Sequence, residues 1–592
     1  MLFRKLSFNF SELEKNTSRL KMTEILASIL KECSAEEIDK AVYLSLGMLA
    51  PKYERLEFNL AGKTMMRVLA KAAGVGEEEV KRVNKEVGDL GKTASKLFGR
   101  KKIKGKELKV EEVFRKLVEI AREGGGGSVE RKIAGMAKLL SETDELSVRF
   151  LARMPIGRLR LGFSEMTVLD ALSWMSKGNK SLRKELERAF NVLADIGKVA
   201  KVFKSKGLAG IKNIKAEVGV PIRAAKAERL PTAEKILEKM EGGCAIEPKM
   251  DGFRVQIHID KKRKLGLKDE TNLNLFEDKK KYFVRIFSRN LENTTYMFPD
   301  IVEAAQQLKV SSAILDGEAI AYNARTKKFL PFQETVQRKR KHGVGEKAKE
   351  IPLKVFVFDL LYLNGKTLIG EVFERRRKML EEVLNRGRKK EEGILLTEQK
   401  TVKAVEEFDK FFKERLKEGL EGLVAKKLDA VYQAGARNYN WVKYKRAMKG
   451  ELADTVDCVV MGYYKGRGKR TAFGTGAFLV GVVGKEKILS TSKVGTGLTD
   501  EQWREMYKRC EKLKVAKKPV DYEVNKNLNP DVWCRPSLVV EIEADEITRS
   551  PIHKAGLALR FPRLKRFRDD KDVREATKVG ELYKLYRMQG RK

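Results

Sequence analysis

The hydrophobic pattern of this chain changes twice, near residues 215 and 449, and these changes limit its fold more than any other feature. Before the first change, apolar residues recur at helical spacing, as Met22, Leu26 and Ile29 do. Between the two changes, strand-like alternation is mixed with helical stretches. Beyond the second change, short strand patterns are separated by glycines. This succession excludes a single uniform architecture.

We therefore predict a multidomain protein with three domains of different class. Residues 1–215 form an all-α domain, and residues 216–448 form an α+β domain with antiparallel sheets. Residues 449–592 form a small β-barrel followed by a C-terminal helix, and the glycine-rich turns favour the OB-fold. The length of 592 residues suits several domains of ordinary size.

Three stretches of the middle domain have distinct patterns. Residues 253–259 alternate apolar and polar side chains, which predicts a half-buried strand. Residues 355–361 are apolar apart from Asp359, as in a strand that is covered on both faces. Residues 261–280 are rich in lysine and poorly patterned, so we predict a loop insertion there.

The charge of the chain points to a polyanionic partner. The formal net charge is +41, from 124 Lys and Arg against 83 Asp and Glu. Such an excess favours nucleic acid first and an anionic membrane second. Because 35% of the residues are charged, a solvated surface of the thermophile type is the alternative interpretation.

The few cysteines and histidines argue against several kinds of site. The five cysteines form no Cys-x-x-Cys pair, so neither a zinc site nor a disulfide framework is indicated. The three histidines are far apart, which argues against a histidine relay. No apolar run reaches membrane-spanning length, and the N-terminus lacks the apolar core of a signal peptide. We expect a soluble, cytoplasmic protein with no membrane partner.

A lysine with informative neighbours lies in the middle domain. Glu247 precedes Lys249 by two positions, and Asp251, Gly252 and Arg254 follow it. A lysine amine becomes a nucleophile when desolvation or neighbouring cations lower its pKa. The pattern therefore suits a lysine that attacks phosphorus and carries a nucleotide covalently. A lysine in a surface Asp-Gly hairpin would have the same local sequence.

Charged residues further along the chain could supply the rest of such a site. Asp316 and Glu318 are two positions apart on a predicted strand, which directs both carboxylates to one face. Glu421 lies beside another predicted strand, and carboxylates on separate strands can hold Mg²⁺ together with substrate phosphates. Lys443 and Lys445 lie on one side of a third strand, where they could neutralise an α-phosphate. Each piece alone is more often a surface ion pair.

The order of these motifs resembles that of the covalent nucleotidyltransferases, and most closely that of archaeal ATP-dependent DNA ligases, which are similar to the eukaryotic replicative enzyme. The motifs are, in order, Lys-x-Asp-Gly-x-Arg, Ser-Arg, Asp-Gly-Glu, Phe-Asp, Glu-Gly-Leu-Val-Ala-Lys and Lys-Tyr-Lys. The resemblance covers nearly the full length. Residues 157–173 look like that family's helical DNA-binding domain, and residues 559–571 look like its C-terminal OB-fold motif.

The resemblance implies a reaction and a role for each site residue. Lys249 would take AMP from ATP and pass it to a 5′-phosphate at a nick in duplex DNA, where the 3′-hydroxyl completes the joint, as in replication, repair and recombination. Glu247 would select adenine, Phe358 would stack on it, and Arg560 would orient the pyrophosphate. The implied catalytic residues are Lys249, Lys443, Lys445 and Arg560. The implied nucleotide contacts are Glu247, Lys249, Arg254, Arg289, Glu318, Phe358, Arg437 and Lys443. The implied Mg²⁺ ligands are Glu318 and Glu421.

The resemblance also bears on partners. A helical domain and an OB-fold that flank a catalytic core could encircle a duplex through phosphate contacts, and we expect a monomer. Archaeal ligases often bind the sliding clamp through a glutamine and aromatic residues. Residues 95–107 contain Leu97 and Phe98 but no glutamine, so clamp binding is left open.

Competing hypotheses stay open at this point. An RNA ligase or a GTP-using capping enzyme would share the site, but most of these enzymes lack the long helical domain. A non-catalytic DNA-binding protein would explain the charge but not Lys249, Glu318 and Glu421. A P-loop NTPase is disfavoured because Leu360 stands where the first glycine of its motif belongs. An NAD-dependent ligase is disfavoured because its four-cysteine zinc site is missing.

Overall fold

The helices of the first two hundred residues form where the sequence has apolar stripes. In the computed structural model, Met22, Leu26 and Ile29 are buried along one side of a helix, as their spacing predicts. The side chain of Ser18 caps this helix by accepting a hydrogen bond from the backbone N–H of Lys21.

The structure describes residues 1–99, 105–157, 159–264, 282–323, 326, 328–330, 332–338, 343–385, 393–418, 420–445, 455–466 and 468–588.

The chain forms two compact units, residues 1–443 and residues 444–592. The first unit begins with a helical region whose buried side chains make one continuous hydrophobic cluster. Its helices are α1 (Phe3–Lys15), α2 (Arg19–Glu32), α3 (Ile38–Ser45), α4 (Gly62–Ala73), α5 (Glu77–Val87), α6 (Leu90–Gly99), α7 (Val110–Arg122), α8 (Ser128–Ser141), α9 (Glu145–Leu151), α10 (Glu165–Lys177), α11 (Arg183–Leu193) and α12 (Ile196–Lys212). The predicted domain boundaries at 215/216 and 448/449 stay predictions.

The remainder of the first unit contains two sheets. Its strands are β1 (Lys226–Arg229), β2 (Cys244–Lys249), β3 (Phe253–Lys264), β4 (Tyr282–Ser288), β5 (Ser312–Asn323), β6 (Lys328–Phe329), β7 (Leu353–Leu363), β8 (Lys366–Thr367), β9 (Ile394–Leu396), β10 (Lys400–Val402), β11 (Gly422–Lys426) and β12 (Arg437–Lys445). One sheet has the order β1-β12-β11-β2-β10, and the other has the order β4-β3-β5-β7-β8, with β6 on β5 and β9 on β7. Pairing within the second sheet is antiparallel except between β7 and β9.

Helices cover the larger sheet and enclose its core. Helices α14 (Pro299–Gln306) and α17 (Phe373–Asn385) lie on the larger sheet, and α18 (Val405–Lys417) lies on the smaller one. The other helices of this region are α13 (Ala233–Lys239), α15 (Phe332–Val336) and α16 (Val344–Glu350). Ile301 of α14 and Leu380 of α17 pack in one buried cluster with Val255, Leu315 and Val357 of the sheet. The α+β class with antiparallel sheets is confirmed.

Strand β3 departs from its predicted half-buried pattern because both of its faces are covered. Gln256 is only 6% exposed and His258 is fully buried. The backbone N–H of Ile222 donates to Gln256 Oε1 at 2.8 Å, and that of Gly219 donates to His258 Nδ1 at 3.0 Å. The segment after the helical region therefore satisfies polar groups that alternation alone assigns to solvent.

Two other strand predictions also need correction. Residues 261–264, predicted to begin a loop insertion, continue strand β3, and residues 265–281 lie outside the described residues. Strand β7 is covered on both faces only from Asp359 to Leu361, since Phe356 and Phe358 are half-buried.

The two residues that were considered for a contact with the sliding clamp, Leu97 and Phe98, are buried in the core of the helical region.

The buried imidazole of His258 makes stability depend on pH. Because Gly219 donates to Nδ1, the ring proton lies on Nε2, which is 2.9 Å from Gln256 Oε1. Burial, and then the charge of Arg285, lower the pKa of His258 to about 3 from 6.5. The folded state therefore binds fewer protons than the unfolded state, and stability is intact above pH 6.5 and lost as the pH falls.

We expect His258 alone to remove about 2 kcal/mol from the free energy of unfolding between pH 7 and pH 5. Chemical denaturation at both pH values measures this loss. His258→Gln should show a loss smaller by that amount. An equal loss in the two proteins would contradict a neutral buried histidine.

The second unit is a β-barrel. Its elements are β13 (Val456–Lys465), β14 (Thr475–Val483), β15 (Ile488–Val494), α19 (Asp500–Lys512), β16 (Lys514–Val515), β17 (Tyr522–Glu523), β18 (Val532–Cys534), β19 (Val539–Glu543), β20 (Glu546–Arg549), β21 (Leu557–Arg560), β22 (Arg563–Phe567) and α20 (Val579–Met588). Strand β13 pairs with β14 and β19, β14 pairs with β15, and β19 pairs with β22. A parallel bridge between Thr496 and Arg563 closes the ring, which is the predicted OB-fold topology. Among the described residues, no helix is long and apolar enough to cross a membrane.

Candidate active site

The lysine motif lies where the chain crosses from one sheet to the other. Strand β2 ends at Lys249 in the smaller sheet, and β3 begins at Phe253 in the larger one. The alternative of a surface hairpin is therefore wrong. A Cβ on Gly252 would lie 2.3 Å from the carbonyl oxygen of Ala319, so the crossing passes β5 too closely for any side chain.

One carboxylate contacts the lysine at this crossing, and a second lies close enough to interact with it electrostatically. Lys249 Nζ donates to Glu421 Oε2, and the pairing of β11 with β2 sets Gly422 opposite Lys249. Burial raises the pKa of Glu318 to about 7, although Lys249, Arg254 and a hydrogen bond from the Gly252 backbone oppose the rise. The structure thus brings the two predicted Mg²⁺ ligands to the predicted nucleophile.

Arg254 is held in a buried network. Its Nε and Nη2 donate to the two carboxylate oxygens of Asp316 at 3.0 and 2.7 Å, and its Nη1 donates to the carbonyl of Ala225 at 2.9 Å. Tyr432 donates to Asp316 at 3.0 Å and accepts from the Ala225 N–H at 3.0 Å. Burial opposes the charge, but Asp316 outweighs it and raises the pKa of Arg254. Asp316 therefore orients Arg254 rather than joining Glu318.

Glu247 and Phe358 are joined through a lysine. Lys426 Nζ lies 2.7 Å from Glu247 Oε2 and donates to the Phe358 carbonyl at 3.0 Å. The same ammonium lies 4.7 Å from the centre of the Phe358 ring. Burial raises the pKa of Glu247 and lowers the pKa of Lys426. The two residues predicted to contact adenine are thus neighbours, although they belong to different sheets.

The Phe358 ring contacts a strand of the smaller sheet, and the residue after it is held by helix α17. It packs edge-on against Trp441 of β12, with centroids 5.9 Å apart. Asp359, the next residue, is fully buried and receives two hydrogen bonds from Arg376 of α17 at 2.7 and 2.9 Å. This ion pair fixes the backbone of β7 at the ring.

The three basic residues of β12 lie on one face of the strand but at different points along it. Arg437, Lys443 and Lys445 alternate with inward residues, and Lys443 stands opposite Arg229 of β1. Arg437 is exposed at the start of the strand, about 20 Å from Lys443 at the usual rise per residue. Extended strand geometry thus separates Arg437 from Lys443.

Two further predicted arginines lie elsewhere. Arg289 follows β4 and lines a small cavity with Arg254 and Asp316. It also lines a groove of about 1040 Å³ to which the helical region contributes Lys52 and Arg55. Arg560 lies in the second unit at the end of β21, 3.5 Å from Glu546.

Sequence reasoning assigned no role to three residues that organise the site. Lys426 closes the apolar strand Gly-Leu-Val-Ala-Lys, and a buried lysine in such a strand signals a buried acidic partner. Arg377 pairs locally with Glu381, but its contact with Glu247 cannot be predicted from local sequence. The same holds for the contact of Tyr432 with Asp316.

The donor set fits Mg²⁺ better than a metal held by protein alone. Within the described residues, no group of three or more His, Cys, Asp or Glu side chains could hold a metal ion. Glu318 and Glu421 offer two carboxylates beside Lys249. Mg²⁺ commonly binds through one or two carboxylates and substrate phosphates.

Family models match most of the chain in three segments. Residues 2–173 match the DNA ligase N terminus, residues 276–445 match the ATP dependent DNA ligase domain, and residues 471–571 match the ATP dependent DNA ligase C terminal region.

Relatives and a solved structure agree with these matches. A probable DNA ligase of Dictyoglomus turgidum is 46% identical over 100% of this chain and 98% of its own length. DNA ligase 2 of Thermofilum pendens is 39% identical over 98% of this chain and 96% of its own length. The solved structure Pmar-Lig_PreS3 shares the fold, with a TM-score of 0.54 and 19% identity over 95% of this chain and 99% of its own. The chain belongs to the family of ATP-dependent DNA ligases.

Proposed function

We propose that this chain seals nicks in duplex DNA by carrying AMP on Lys249. The observation that carries the proposal is the position of Lys249, whose ammonium pairs with Glu421 and lies close enough to Glu318 to oppose the rise in its pKa. Carboxylates at this crossing can hold Mg²⁺ together with the phosphates of a triphosphate, which would place the α-phosphorus beside Nζ.

In the first step, Lys249 accepts AMP from ATP. The Nζ ammonium loses one proton to become a nucleophilic amine, forms a bond to the α-phosphorus of ATP while the bond from that phosphorus to pyrophosphate breaks, and releases a second proton as the phosphoramidate forms. Lys443 and Lys445 offset phosphate charge, and Arg560 orients the leaving pyrophosphate. Because the chemistry is displacement at phosphorus, positioning and charge stabilisation supply the rate.

Two further displacements complete the joint. A 5′-phosphate oxygen attacks the same phosphorus, the N–P bond breaks, and Nζ takes up two protons to become an ammonium again. The 3′-hydroxyl then loses its proton and attacks the 5′-phosphorus, and AMP leaves. Arg254 and Arg289 contact the ribose, phosphates or nick, and the groove lined by Lys52, Arg55 and Arg289 supports a contact to DNA phosphates.

Mg²⁺ would be held by Glu318 and Glu421 together with substrate oxygens. When bound, it neutralises charge that develops on the phosphates. Glu247 and Phe358 select and stack the base, and Arg437 contacts phosphate or DNA outside the Lys249 cluster.

A donor and polymer comparison tests this function. We expect Mg²⁺ with ATP to add the mass of one AMP to the intact protein, and we expect the protein to seal nicked DNA. A GMP adduct would favour a capping enzyme, and preferential sealing of nicked RNA would favour an RNA ligase. If neither ATP nor GTP gave a covalent adduct, the proposal of covalent catalysis would be overturned.

A further inference from the structure

Three buried polar atoms beside Phe358 have no hydrogen-bond partner in the described part of the chain. They are Glu247 Oε1, Arg377 Nη1 and Thr397 Oγ1. Their residues are only 2%, 6% and 1% exposed, respectively. A buried polar atom without a hydrogen bond destabilises the fold, so three such atoms in one place suggest that a ligand completes their hydrogen bonds.

The three residues form one connected group. Arg377 Nη1 forms an ion pair with Glu247 Oε1 at 3.6 Å, a distance longer than a hydrogen bond, and Arg377 Nη2 donates to the Thr397 carbonyl at 2.7 Å. The backbone N–H of Thr397 donates to the carbonyl of Val357, the residue before Phe358. The residues that carry these three atoms therefore lie close to strand β7 at Phe358, whose ring is proposed to stack on the base.

The neighbouring contacts fix the hydrogen-bonding character of these atoms. Lys426 occupies the other oxygen of Glu247, so Oε1 presents an acceptor. Glu381 accepts from Arg377 Nε at 2.7 Å, which leaves Nη1 as a donor with a fixed direction. An acceptor and a donor of fixed direction thus lie 3.6 Å apart, and Thr397, which contacts Arg377 through its carbonyl, adds a hydroxyl that can donate or accept.

We propose that Arg377 and Thr397, together with Glu247, recognise the hydrogen-bonding edge of adenine and make the enzyme specific for it. Adenine offers a 6-amino donor and the adjacent N1 acceptor. Glu247 Oε1 and the Thr397 hydroxyl accept from the amine, and Arg377 Nη1 donates to N1. This assignment rests on the proposed function, because it requires a nucleotide at Phe358.

Formation of the covalent adduct with modified nucleotides tests the assignment. The substrates are ATP, purine riboside triphosphate, which lacks the 6-amino group, and 1-deazaadenosine triphosphate, which lacks N1. For wild type, we expect kcat/KM for ATP to exceed that for each analogue by roughly 10- to 100-fold. Thr397→Val should narrow the preference over purine riboside triphosphate, and Arg377→Met should narrow the preference over the 1-deaza analogue.

A merely structural role predicts a different result. If Arg377 and Thr397 only support the fold, the variants will lose activity equally with all three nucleotides, and unchanged preferences would overturn the assignment. Thr397→Val replaces a hydroxyl with a methyl group of similar size. It therefore still tests the assignment if Arg377→Met fails to fold. Arg375→Met is the matched control, because Arg375 lies on the same helix with its side chain 67% exposed.

Failure of the proposed function has its own outcome. Wild-type protein that forms no adduct with ATP would overturn both the covalent mechanism and this assignment. An adenylated wild type whose preferences survive in both variants would overturn the assignment alone.

Discussion

Lys249→Ala is expected to abolish the covalent AMP adduct and to slow sealing of an ordinary nick by a factor on the order of 10⁴ or more. The reason is that Nζ is the group that forms the bond to AMP, and its removal leaves the crossing between the two sheets without that amine. Intact-mass analysis after incubation with ATP and Mg²⁺ measures the adduct, and a nicked duplex measures sealing.

A nicked substrate that already carries AMP shows whether Lys249→Ala is inactive because it lacks the nucleophile or because it is misfolded. The last displacement breaks no bond to Lys249, so Lys249→Ala should still seal this substrate, with a loss far smaller than on an ordinary nick. Lys249→Arg keeps the charge beside Glu421 and should also form no adduct.

A second lysine supplies the control. Lys427 comes directly after strand β11, which ends at Lys426, and its ammonium pairs with Glu241 at 2.8 Å. Lys427→Ala should form the adduct normally. An adduct on Lys249→Ala would place the nucleophile elsewhere.

Arg376→Met is expected to lower the free energy of unfolding of the first unit by about 3–5 kcal/mol. The change leaves Asp359 as an unpaired buried charge, since both partners are fully buried. It also removes a hydrogen bond of 2.6 Å to the carbonyl of Glu371. Chemical denaturation measures the loss.

Two comparisons show whether the loss comes from the buried charge. Arg375→Met removes an exposed pair with Glu371 and should cost less than about 1 kcal/mol. The double variant Arg376→Met with Asp359→Leu should recover much of the loss, because no buried charge stays unpaired. A double variant no more stable than Arg376→Met would contradict this explanation.

The classes of the domains could be predicted because hydrophobic period is a local property. Apolar residues three and four apart identified helix α2, and alternation identified strand β3. Burial could not be predicted in the same way. Gln256 and His258 lie inside because residues 219–222, more than thirty positions away, supply their hydrogen bonds.

The candidate site shows the same division. Lys249, Glu318 and Glu421 could be chosen from the order of motifs, and the structure brings them together. Asp316 was expected to act beside Glu318, but Arg254 binds it instead. Arg377 could not be recognised as a site residue, because its contacts with Glu247 and Thr397 form only when helix α17 packs against the strands.

The sequence by itself determined which chemical groups are available and in what order, because residue type and local spacing are properties of a linear chain. Only the tertiary structure decided that the Lys249 motif is a crossing between two sheets rather than a hairpin. It also decided which charges are paired and which polar atoms near Phe358 are left without a partner. The reason is physical: pairing and desolvation depend on strands that are distant in sequence and adjacent only in the fold.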